Sequence, residues 1–320
     1  MKNLKLILII MMAIIVIWSC ESPIDNIPME KLPQTESRLV VNSVISPQLP
    51  YINVIVSESI PLFSNSNASE GRLTNATVRI SDGVNEMVIP YDKENNLYSL
   101  EQSKFPIKVS KTYILTVSDG KRTVKAQCKV PNKAADIKSY DFDTLLIYNP
   151  IHQDTAVTLR VSWQDVHADT NFYRINATMD FEFSTAIKEV EQKFVEHRNS
   201  VQERFNWNWQ QGRNDYLSDN HLDGALLSSP MGKLHLPQTL DLISGDGKKV
   251  IFYPRTKIHS VLIEVYNVDK HYYKYERSLE IKNNSDSPFA EPSTIYSNVT
   301  GGLGCFSAYN ASQVKVSFSK

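Results

Sequence analysis

Cysteine is scarce in this chain, which has three in 320 residues: Cys20, Cys128 and Cys305. Small secreted proteins that are held together by disulfides carry many more, so a disulfide framework is excluded and the fold must depend on a hydrophobic core. One bridge between Cys128 and Cys305 is possible if Cys20 is used elsewhere. We favour two buried thiols that behave as small apolar side chains.

An excess of charge of either sign is also lacking. The sequence has 34 Lys and Arg against 35 Asp and Glu, which gives a net charge of −1 with histidine neutral. A basic patch of the kind that binds phosphate backbones is therefore not predicted, and nucleic acid is excluded as a partner. The length suits two domains better than one.

Recognisable catalytic and metal-binding motifs are missing from the sequence. It has no glycine-rich phosphate loop, HExxH, CxxC or nucleophile elbow, and its seven histidines are scattered singly. The one acidic cluster is Asp215, Asp219 and Asp223, with His221, in NDYLSDNHLDG. Its oxygens could hold Ca²⁺, but the calcium-loop pattern is missing, and a polar turn closed by Gly224 is favoured. We therefore predict no metal, no cofactor and no enzymatic activity.

The chain has a single long apolar run, which lies near its N-terminus. Lys2 and Lys5 precede this run, which extends over 13 residues from Leu6 to Trp18. A helix needs about 20 apolar residues to span a bilayer. The run is too short for that and is typical of a signal peptide over residues 1–19.

The leader ends on Ile17, Trp18, Ser19 and Cys20. This order of an aliphatic, a variable and a small residue before cysteine resembles a bacterial lipobox, which predicts cleavage before Cys20 and lipid attachment to its thiol. Buried acyl chains contribute about 0.8 kcal/mol per CH₂, which is enough for a stable membrane anchor. Residues 20–37 have three prolines and no apolar period, and are predicted to be a lipidated tether. An ordinary leader with a chance cysteine is the alternative.

From Arg38 onward, apolar residues alternate with polar ones, which predicts β-strands. In TYILTVSDGKRTVKAQCKV the chain turns at Asp119-Gly120, and Cys128 falls on the apolar side, so its thiol is predicted to lie in the core. A similar stretch turns at Asp82-Gly83, and this dipeptide suits a type I′ turn. We predict an immunoglobulin-like β-sandwich over residues 38–131.

Residues 132–320 are predicted to form a second β-sandwich. The stretches TAVTLRVSWQD and FYRINATMDFEF each place apolar residues on one face, as in core strands of a fibronectin-type sandwich. An insertion is predicted over about 184–248. From Ile187 to Phe205 apolar or long side chains recur at steps of three and four, which predicts a helix within this insertion.

A C-terminal helix is predicted over KHYYKYERSLEIK, capped by Asp269 and ending near Asn283. Its tyrosines Tyr272, Tyr273 and Tyr275 are expected to pack, with their hydroxyls reaching polar partners. The predicted fold class is therefore mainly β, with two immunoglobulin- or fibronectin-like sandwiches, a helix-containing insertion in the second and a C-terminal helix.

Two tryptophans in RFNWNWQQGR are the candidate ligand-binding residues. Trp207 and Trp209 point the same way if the stretch is a strand, and Arg204 and Arg213 flank them. Indoles beside arginine can stack a sugar, a peptide side chain or a porphyrin, or dock a partner barrel, and insertions on a rigid scaffold often carry binding residues. We favour the other interpretation, in which the indoles close the second core or pack between the domains.

Several segments occur together, in order, in one known family. They are RLVVNSVIS, ATVRISDG, KTYILTVSDG, YLSDNHLDG, VYNVDKHYYKYERSLE and, most specifically, the tail PFAEPSTIYSNVTGGLGCFSAY within residues 284–309. With its lipobox-like leader, the chain resembles the Bacteroidota lipoproteins grouped as domain of unknown function 4249, over nearly all of its mature length. Cys305 stands where an aliphatic or aromatic residue is expected, and we interpret its thiol as a core substituent.

The resemblance implies an outer-membrane lipoprotein, often encoded beside TonB-dependent receptors, with no established catalytic activity and no agreed functional residues. We expect a non-catalytic ligand-binding or accessory component of a TonB-dependent nutrient uptake system, displayed on the cell surface rather than on the periplasmic face. Its expected partners are the membrane through the lipid anchor, a TonB-dependent receptor and an unidentified ligand. A structural or adhesive envelope protein is the alternative, and a hydrolase with a non-obvious site is a third.

Overall fold

β-Strands make up most of the computed structural model, which describes residues 36–60, 71–148, 153–167, 170–188, 194–207, 215–220, 222–237, 240–243, 247, 249–283 and 294–318. Over these residues the prediction of a mainly β protein is confirmed. The predicted signal peptide, Cys20 and all but the last two residues of the predicted tether lie outside the described residues.

The first part of the chain forms eight described strands: β1 (Leu39–Ile45), β2 (Tyr51–Glu58), β3 (Thr77–Ser81), β4 (Glu86–Ile89), β5 (Tyr91–Asp92), β6 (Leu97–Glu101), β7 (Thr112–Ser118) and β8 (Thr123–Lys129). Their burial alternates because successive side chains of a strand point to opposite faces. In β8, Val124, Ala126 and Cys128 are buried and the residues between them are exposed. The predicted core position of Cys128 is confirmed.

The turn between β3 and β4 is not of the predicted type I′. Gly83 has a φ of +90°, whereas Asp82 is not among the residues of positive φ. The backbone N–H of Asp82 donates to the carbonyl of Asn85 at 3.1 Å, so Gly83 is the first of two loop residues. A positive φ at the first position alone fits a type II′ turn. The turn at Asp119-Gly120 repeats this arrangement.

The second part of the chain forms ten described strands and a helix: β9 (Asp136–Tyr148), β10 (Gln153–Gln164), β11 (Phe172–Lys188), β12 (Phe194–Arg204), β13 (Tyr216–Ser218), β14 (Leu226–Ser228), β15 (Gly232–His235), β16 (Leu240–Ile243), β17 (Lys249–Val268), α1 (Lys270–Asn283) and β18 (Leu303–Ser317). The predicted inward faces of β10 and β11 are confirmed. Trp163 and Tyr173 are fully buried, and their rings meet edge to face at 5.5 Å.

The helix predicted from Ile187 to Phe205 is wrong. β11 continues to Lys188, and β12 returns antiparallel to it from Phe194, with the two strands in register along eleven residue pairs. The three- and four-residue spacing is local, whereas this ladder satisfies the backbone of β11 along its outer edge. Pairing with a neighbouring strand therefore overrides the spacing.

The C-terminal helix is confirmed as α1. The backbone N–H of Tyr272 donates to Oδ1 of Asp269 at 2.7 Å, which is the predicted cap. The helix ends at Asn283, as predicted.

Three sheets are formed by the described strands. The largest has ten strands in the order β12-β11-β17-β18-β1-β2-β6-β5, with β13 added beside β11 and β16 beside β17. A second sheet has β10 at its centre, with β9 on one side and β14 and β15 on the other. The third has the order β4-β3-β7-β8.

Two hydrophobic clusters lie between these sheets. The first cluster combines β1, β2 and β6 with the β4-β3-β7-β8 sheet, and Leu39, Ile52, Leu115 and Val124 are among its buried residues. The second cluster combines β11 and β17 with β10, and includes Trp163. The long sheet therefore provides one wall of each cluster.

β18 belongs to both clusters. Its residues from Leu303 to Ala308 pair in parallel with β1, and those from Tyr309 to Ser317 pair antiparallel with β17. Phe306 is fully buried in the first cluster, although it lies near the C-terminus. Gly304, with a φ of +105°, has no room for a side chain, because a Cβ there would collide with the carbonyl of Val41.

Two buried asparagines hold the segment between the clusters. On adjacent strands, Asn267 donates to the carbonyl of Lys133 at 2.9 Å and Asn310 donates to that of Pro131 at 3.2 Å. The predicted domain boundary after residue 131 falls in this segment. The division into domains 38–131 and 132–320 stays a prediction, since β18 contributes to both clusters.

We expect Phe306→Ala to destabilise the protein by about 3–5 kcal/mol, because it leaves a cavity in the first cluster. Chemical unfolding of the purified chain measures this loss. The matched control is Phe318→Ala, which removes a ring that is 39% exposed and is expected to cost less than about 1 kcal/mol. Equal losses in the two variants would show that β18 does not close the first cluster.

Candidate functional site

The outer face of the long sheet carries a group of polar and aromatic side chains where it meets α1. We call Arg174, Asp215, Tyr216, Tyr272 and Glu276 the Arg174 cluster. β11 alternates, so its apolar residues enter the second cluster while Arg174 points to the opposite face, towards α1. The side chains of Arg174 and Asp215 are 21% and 18% exposed.

The guanidinium of Arg174 is enclosed by its neighbours. Its Nε donates to Asp215 Oδ2 at 3.2 Å, and a terminal nitrogen donates to the hydroxyl of Tyr272. Its central carbon lies 5.2 Å and 5.8 Å from the ring centroids of Tyr216 and Tyr272, within the range of cation–π attraction. The hydroxyl of Tyr216 donates to Glu276 at 3.0 Å. The cluster thereby fixes β13 and α1 to the sheet.

Burial and pairing set the charges of this cluster. Burial opposes the charge of Arg174, but the phenols of Tyr272 and Tyr216 and the carboxylate of Asp215 outweigh it and raise its pKa. Burial raises the pKa of Asp215, and Arg174 offsets only part of that effect. Burial also raises the pKa of Tyr272, to about 12. The arginine therefore stays charged and the phenols stay protonated at neutral pH.

A second group continues along the same face. Asn176 and the hydroxyl of Tyr266 both donate to Glu264 Oε2, at 2.7 and 2.6 Å. The rings of Tyr266 and Tyr309 lie 4.7 Å apart. Phenol rings beside carboxylate and amide groups can stack a sugar or a cation, so this face can take part in noncovalent binding.

Asp269 joins the start of α1 to β18. Besides capping the helix, it accepts the backbone N–H of Ala308 at 3.1 Å. Burial raises the pKa of Asp269 to about 7, while the backbone N–H groups of Tyr272, Ala308 and His271 act in the opposite direction. This carboxyl is a structural acceptor, since its contacts are backbone donors of the helix and the strand.

The two remaining thiols are buried and free, as predicted. Cys305 lies on the α1 side of β18, where its Sγ donates weakly to the carbonyl of His271 at 3.6 Å. Burial raises the pKa of Cys305 to about 12 and that of Cys128 well above its ordinary value. Since the thiolate is the nucleophilic form, neither sulfur is activated.

The predicted ligand-binding group does not form an exposed aromatic surface at Trp207. This residue is 3% exposed and belongs to the second cluster, where Nε1 donates to the carbonyl of Pro230 at 3.2 Å. Gly232 lies against the indole, and a Cβ there would be 2.6 Å from the ring. Arg204 is exposed at the end of β12. Trp209 and Arg213 lie outside the described residues.

The three aspartates of the predicted polar turn have separate partners. Asp215 pairs with Arg174, Asp219 accepts the backbone N–H of Asn171 at 2.9 Å, and Asp223 lies 2.9 Å from His167. His221 lies outside the described residues. Among those described, no group of three or more His, Cys, Asp or Glu side chains could hold a metal ion. The cation site therefore gains no support from their arrangement.

The Arg174 cluster is not predicted from the sequence. Polar partners for the tyrosine hydroxyls of α1 are predicted, and this is confirmed for Tyr272. The available signal was the outward half of β11, where Arg174, Asn176 and Asp180 alternate with core residues. This alternation does not predict that β11 pairs with β17 or that α1 packs over the sheet, because both depend on residues distant in sequence.

Fold and site together define a mainly β protein in which one long sheet carries paired polar side chains on its outer face. No helix among the described residues is both long and apolar enough to cross a membrane. The chain belongs to the family described as Domain of unknown function (DUF4249), which matches residues 25–315.

No match was found among curated proteins. Among solved structures, the chain has a weak similarity to the C-terminal globular domain of an oligosaccharyltransferase from Pyrococcus abyssi, with 12% identity and a TM-score of 0.14. The matched region covers 70% of this chain and 49% of that one, so the chain spans about half of its length.

We expect Arg174→Met to lower the free energy of unfolding by about 3 kcal/mol, because it leaves Asp215 buried without its cation. The control is Arg198→Met, since the Arg198 side chain is 70% exposed and 3.7 Å from Glu182; its cost is expected to stay below about 1 kcal/mol. Urea unfolding of both variants is the measurement. A loss at Arg174 as small as that at Arg198 would contradict the structural role of the cluster.

The pH dependence of stability tests Asp269. Its pKa is about 7 in the folded protein, against about 3.9 for an ordinary aspartate, so the folded state favours the protonated acid. The stability that this group contributes is present at low pH and is lost as pH rises from about 4 to about 7, at up to about 1.4 kcal/mol per pH unit. Asp269→Asn has no such titration, so wild type should lose stability relative to the variant across this range. A constant difference would contradict this.

Proposed function

We propose that this protein is a lipid-anchored, non-catalytic binding or accessory module of the bacterial outer membrane, acting in a TonB-dependent nutrient uptake system. The observation that carries the proposal is the pairing of the polar groups described above. Arg174, Asp215, Glu264 and Asp269 each hold a structural partner, and the thiols are protonated. Side chains engaged in this way favour recognition through surfaces over covalent chemistry.

The outer face of the long sheet offers one surface for such recognition. It combines phenol rings with carboxylates on rigid strands, and a rigid scaffold lowers the entropic cost of binding. Asp180 adds to it, since it accepts from Ser260 at 2.9 Å and from Gln202 at 2.8 Å. A ligand or a partner protein bound here would contact side chains that are already ordered.

The proposed fold is a pair of immunoglobulin-like β-sandwiches, one around each hydrophobic cluster. Support comes from the walls of each cluster, which are provided by different sheets with inward-facing apolar residues. The β18 strand would then be shared by the two sandwiches.

The proposed location is supported by the lipobox-like sequence from Ile17 to Cys20 and by what the resemblance described from the sequence implies. We expect Cys20→Ser to abolish incorporation of labelled fatty acid and to release the protein from the membrane fraction, because the thiol that carries the lipid is lost. Cys305→Ser is the matched control, since Cys305 is buried in the fold and should leave lipidation intact.

Purification in mild detergent tests the partner. A large β-barrel receptor should co-purify with the wild-type chain in a stable ratio. An unmodified Cys20 in the mature polypeptide would contradict the anchor, and a lone monomer in mild detergent would contradict the role beside a receptor.

A further inference from the structure

β9 is an unusually long edge strand. It has 13 residues, and within the described part of the chain it pairs with β10 alone. An edge of this kind presents a row of backbone N–H and C=O groups that can pair with another chain.

Exposed aromatic side chains accompany this edge. Tyr140 and Phe318 are 38% and 39% exposed, and Phe142 lies between them, with ring centroids 5.7 Å from each. We call these three residues the β9 aromatic strip. Exposed apolar residues that are contiguous in this way mark an interaction surface more often than scattered ones do.

The edge of β18 opens on the same side. Asn206, just after β12, bridges to Lys233 of β15, while Phe142 of β9 contacts Phe318 just after β18. Across the second cluster, β15 therefore lies near β12, and β9 lies near β18. The edges of β9 and β18 are on the same side of this cluster.

The backbone of β18 alternates between a paired and an open side. Phe318 donates its N–H to the carbonyl of His259, just before the paired stretch of β17, at 3.0 Å. Ala311, of opposite parity, donates its N–H at 3.2 Å to the side chain of Gln48, away from β17. By the same alternation, Gln313, Lys315 and Ser317 direct their backbone groups to the open side. Two strand edges thus flank the β9 aromatic strip.

The chain closes the corresponding edge of the first cluster. There the edge strand is β8, and Thr300 and Lys125 exchange backbone hydrogen bonds at 2.7 and 3.2 Å. Asn298 adds a bond to the carbonyl of Gln127 at 3.2 Å. The segment before β18 therefore covers the edge of β8 at the first cluster. Among the described residues, no segment covers the edge of β9 at the second cluster in the same way.

The other long edge strand has a different surface. Arg198, Glu203 and Arg204 of β12 are exposed, and charged side chains on an edge discourage pairing with another strand. On β9, Lys138 pairs with Asp136 near one end, and Arg160 stands opposite Asp141.

The exposed carboxylates of β9 indicate which side chains an added strand should carry. Asp141 and Asp143 are exposed at alternate positions on the face away from the core, and Thr158 rather than a cation stands opposite Asp143. A basic side chain on an added strand would be favourable there. A second copy of β9 is disfavoured, because antiparallel pairing centred on Phe142 would place Asp141 opposite Asp143.

We propose that the edge of β9 left unpaired among the described residues binds an extended polypeptide segment of another protein as an added strand, with a basic residue facing Asp143 and apolar residues covering the β9 aromatic strip. Main-chain hydrogen bonds would supply affinity and the alternating side chains would supply specificity. This surface is distinct from the Arg174 cluster, and the inference goes beyond the proposed function and does not depend on the receptor named there.

The test uses the purified full chain and three nine-residue acetylated peptides. The first alternates lysine and valine, the second alternates glutamate and valine, and the third is the first with its backbone nitrogens methylated at alternate positions. We expect the lysine peptide to bind about tenfold more tightly than the glutamate peptide, and methylation to weaken it by at least about tenfold. Hydrogen exchange should slow at β9 and not at β12.

Two charge reversals complete the test. Asp143→Lys and Glu203→Lys change the net charge equally, but Glu203 lies on β12. Only Asp143→Lys should reduce the preference for the lysine peptide. The proposal is overturned if the methylated peptide binds as well as the parent, if both variants respond alike, if no peptide binds at millimolar concentration, or if sedimentation shows that β9 is covered by self-association.

Discussion

The parallel pairing of β18 with β1 is the constraint on which the rest of the architecture depends. It joins residues near the two ends of the described chain, since Asn42 and Cys305 are 263 residues apart in sequence and bonded through a side chain at 3.1 Å. Closing so long a loop has an entropic cost that many contacts must offset. Burial of Phe306 in the first cluster and the antiparallel pairing with β17 both contribute to that offset. Gly304 within this pairing has a φ of +105°, and a Cβ there would collide with the carbonyl of Val41, which explains glycine at this position.

A strand shared by two hydrophobic clusters makes each cluster dependent on the other. The outer half of β18 cannot shift its register on β17 without moving Phe306 along β1, because a strand is continuous. Asn267 and Asn310 add a second connection through the segment between the clusters. These side chains are buried, so their hydrogen bonds would be costly to break. The polar interior between the clusters therefore specifies one arrangement of the described strands.

Local sequence patterns predicted most of the strands, the inward faces of β8, β10 and β11, the buried position of Cys128, and the capped helix α1. Each of these depends on residues that are neighbours in sequence. The local pattern failed to predict structure where pairing with a distant strand determines it. From Ile187 onward a helical spacing was overridden by the ladder with β11, and the order of strands in the long sheet could not be obtained from any segment alone. Burial of Trp207 was the favoured interpretation and is confirmed, but its contacts with Gly232 and Pro230 come from another segment and could not be predicted locally.

Composition suggests where polar chemistry could lie, but pairing determines what the groups can do. Arg174 and Asp215 would suggest an active site if only their types and burial were considered, yet their bonds are used to hold α1 and β13 on the sheet. At β9 the side chains do not suggest an active site. Among the described residues, however, the backbone of β9 is unpaired on one side and can still form hydrogen bonds. A hydrogen-bonding group that already has a protein partner must lose it before it can bind anything else. Recognition at a strand edge requires only that water be displaced, so it has the lower cost in this fold.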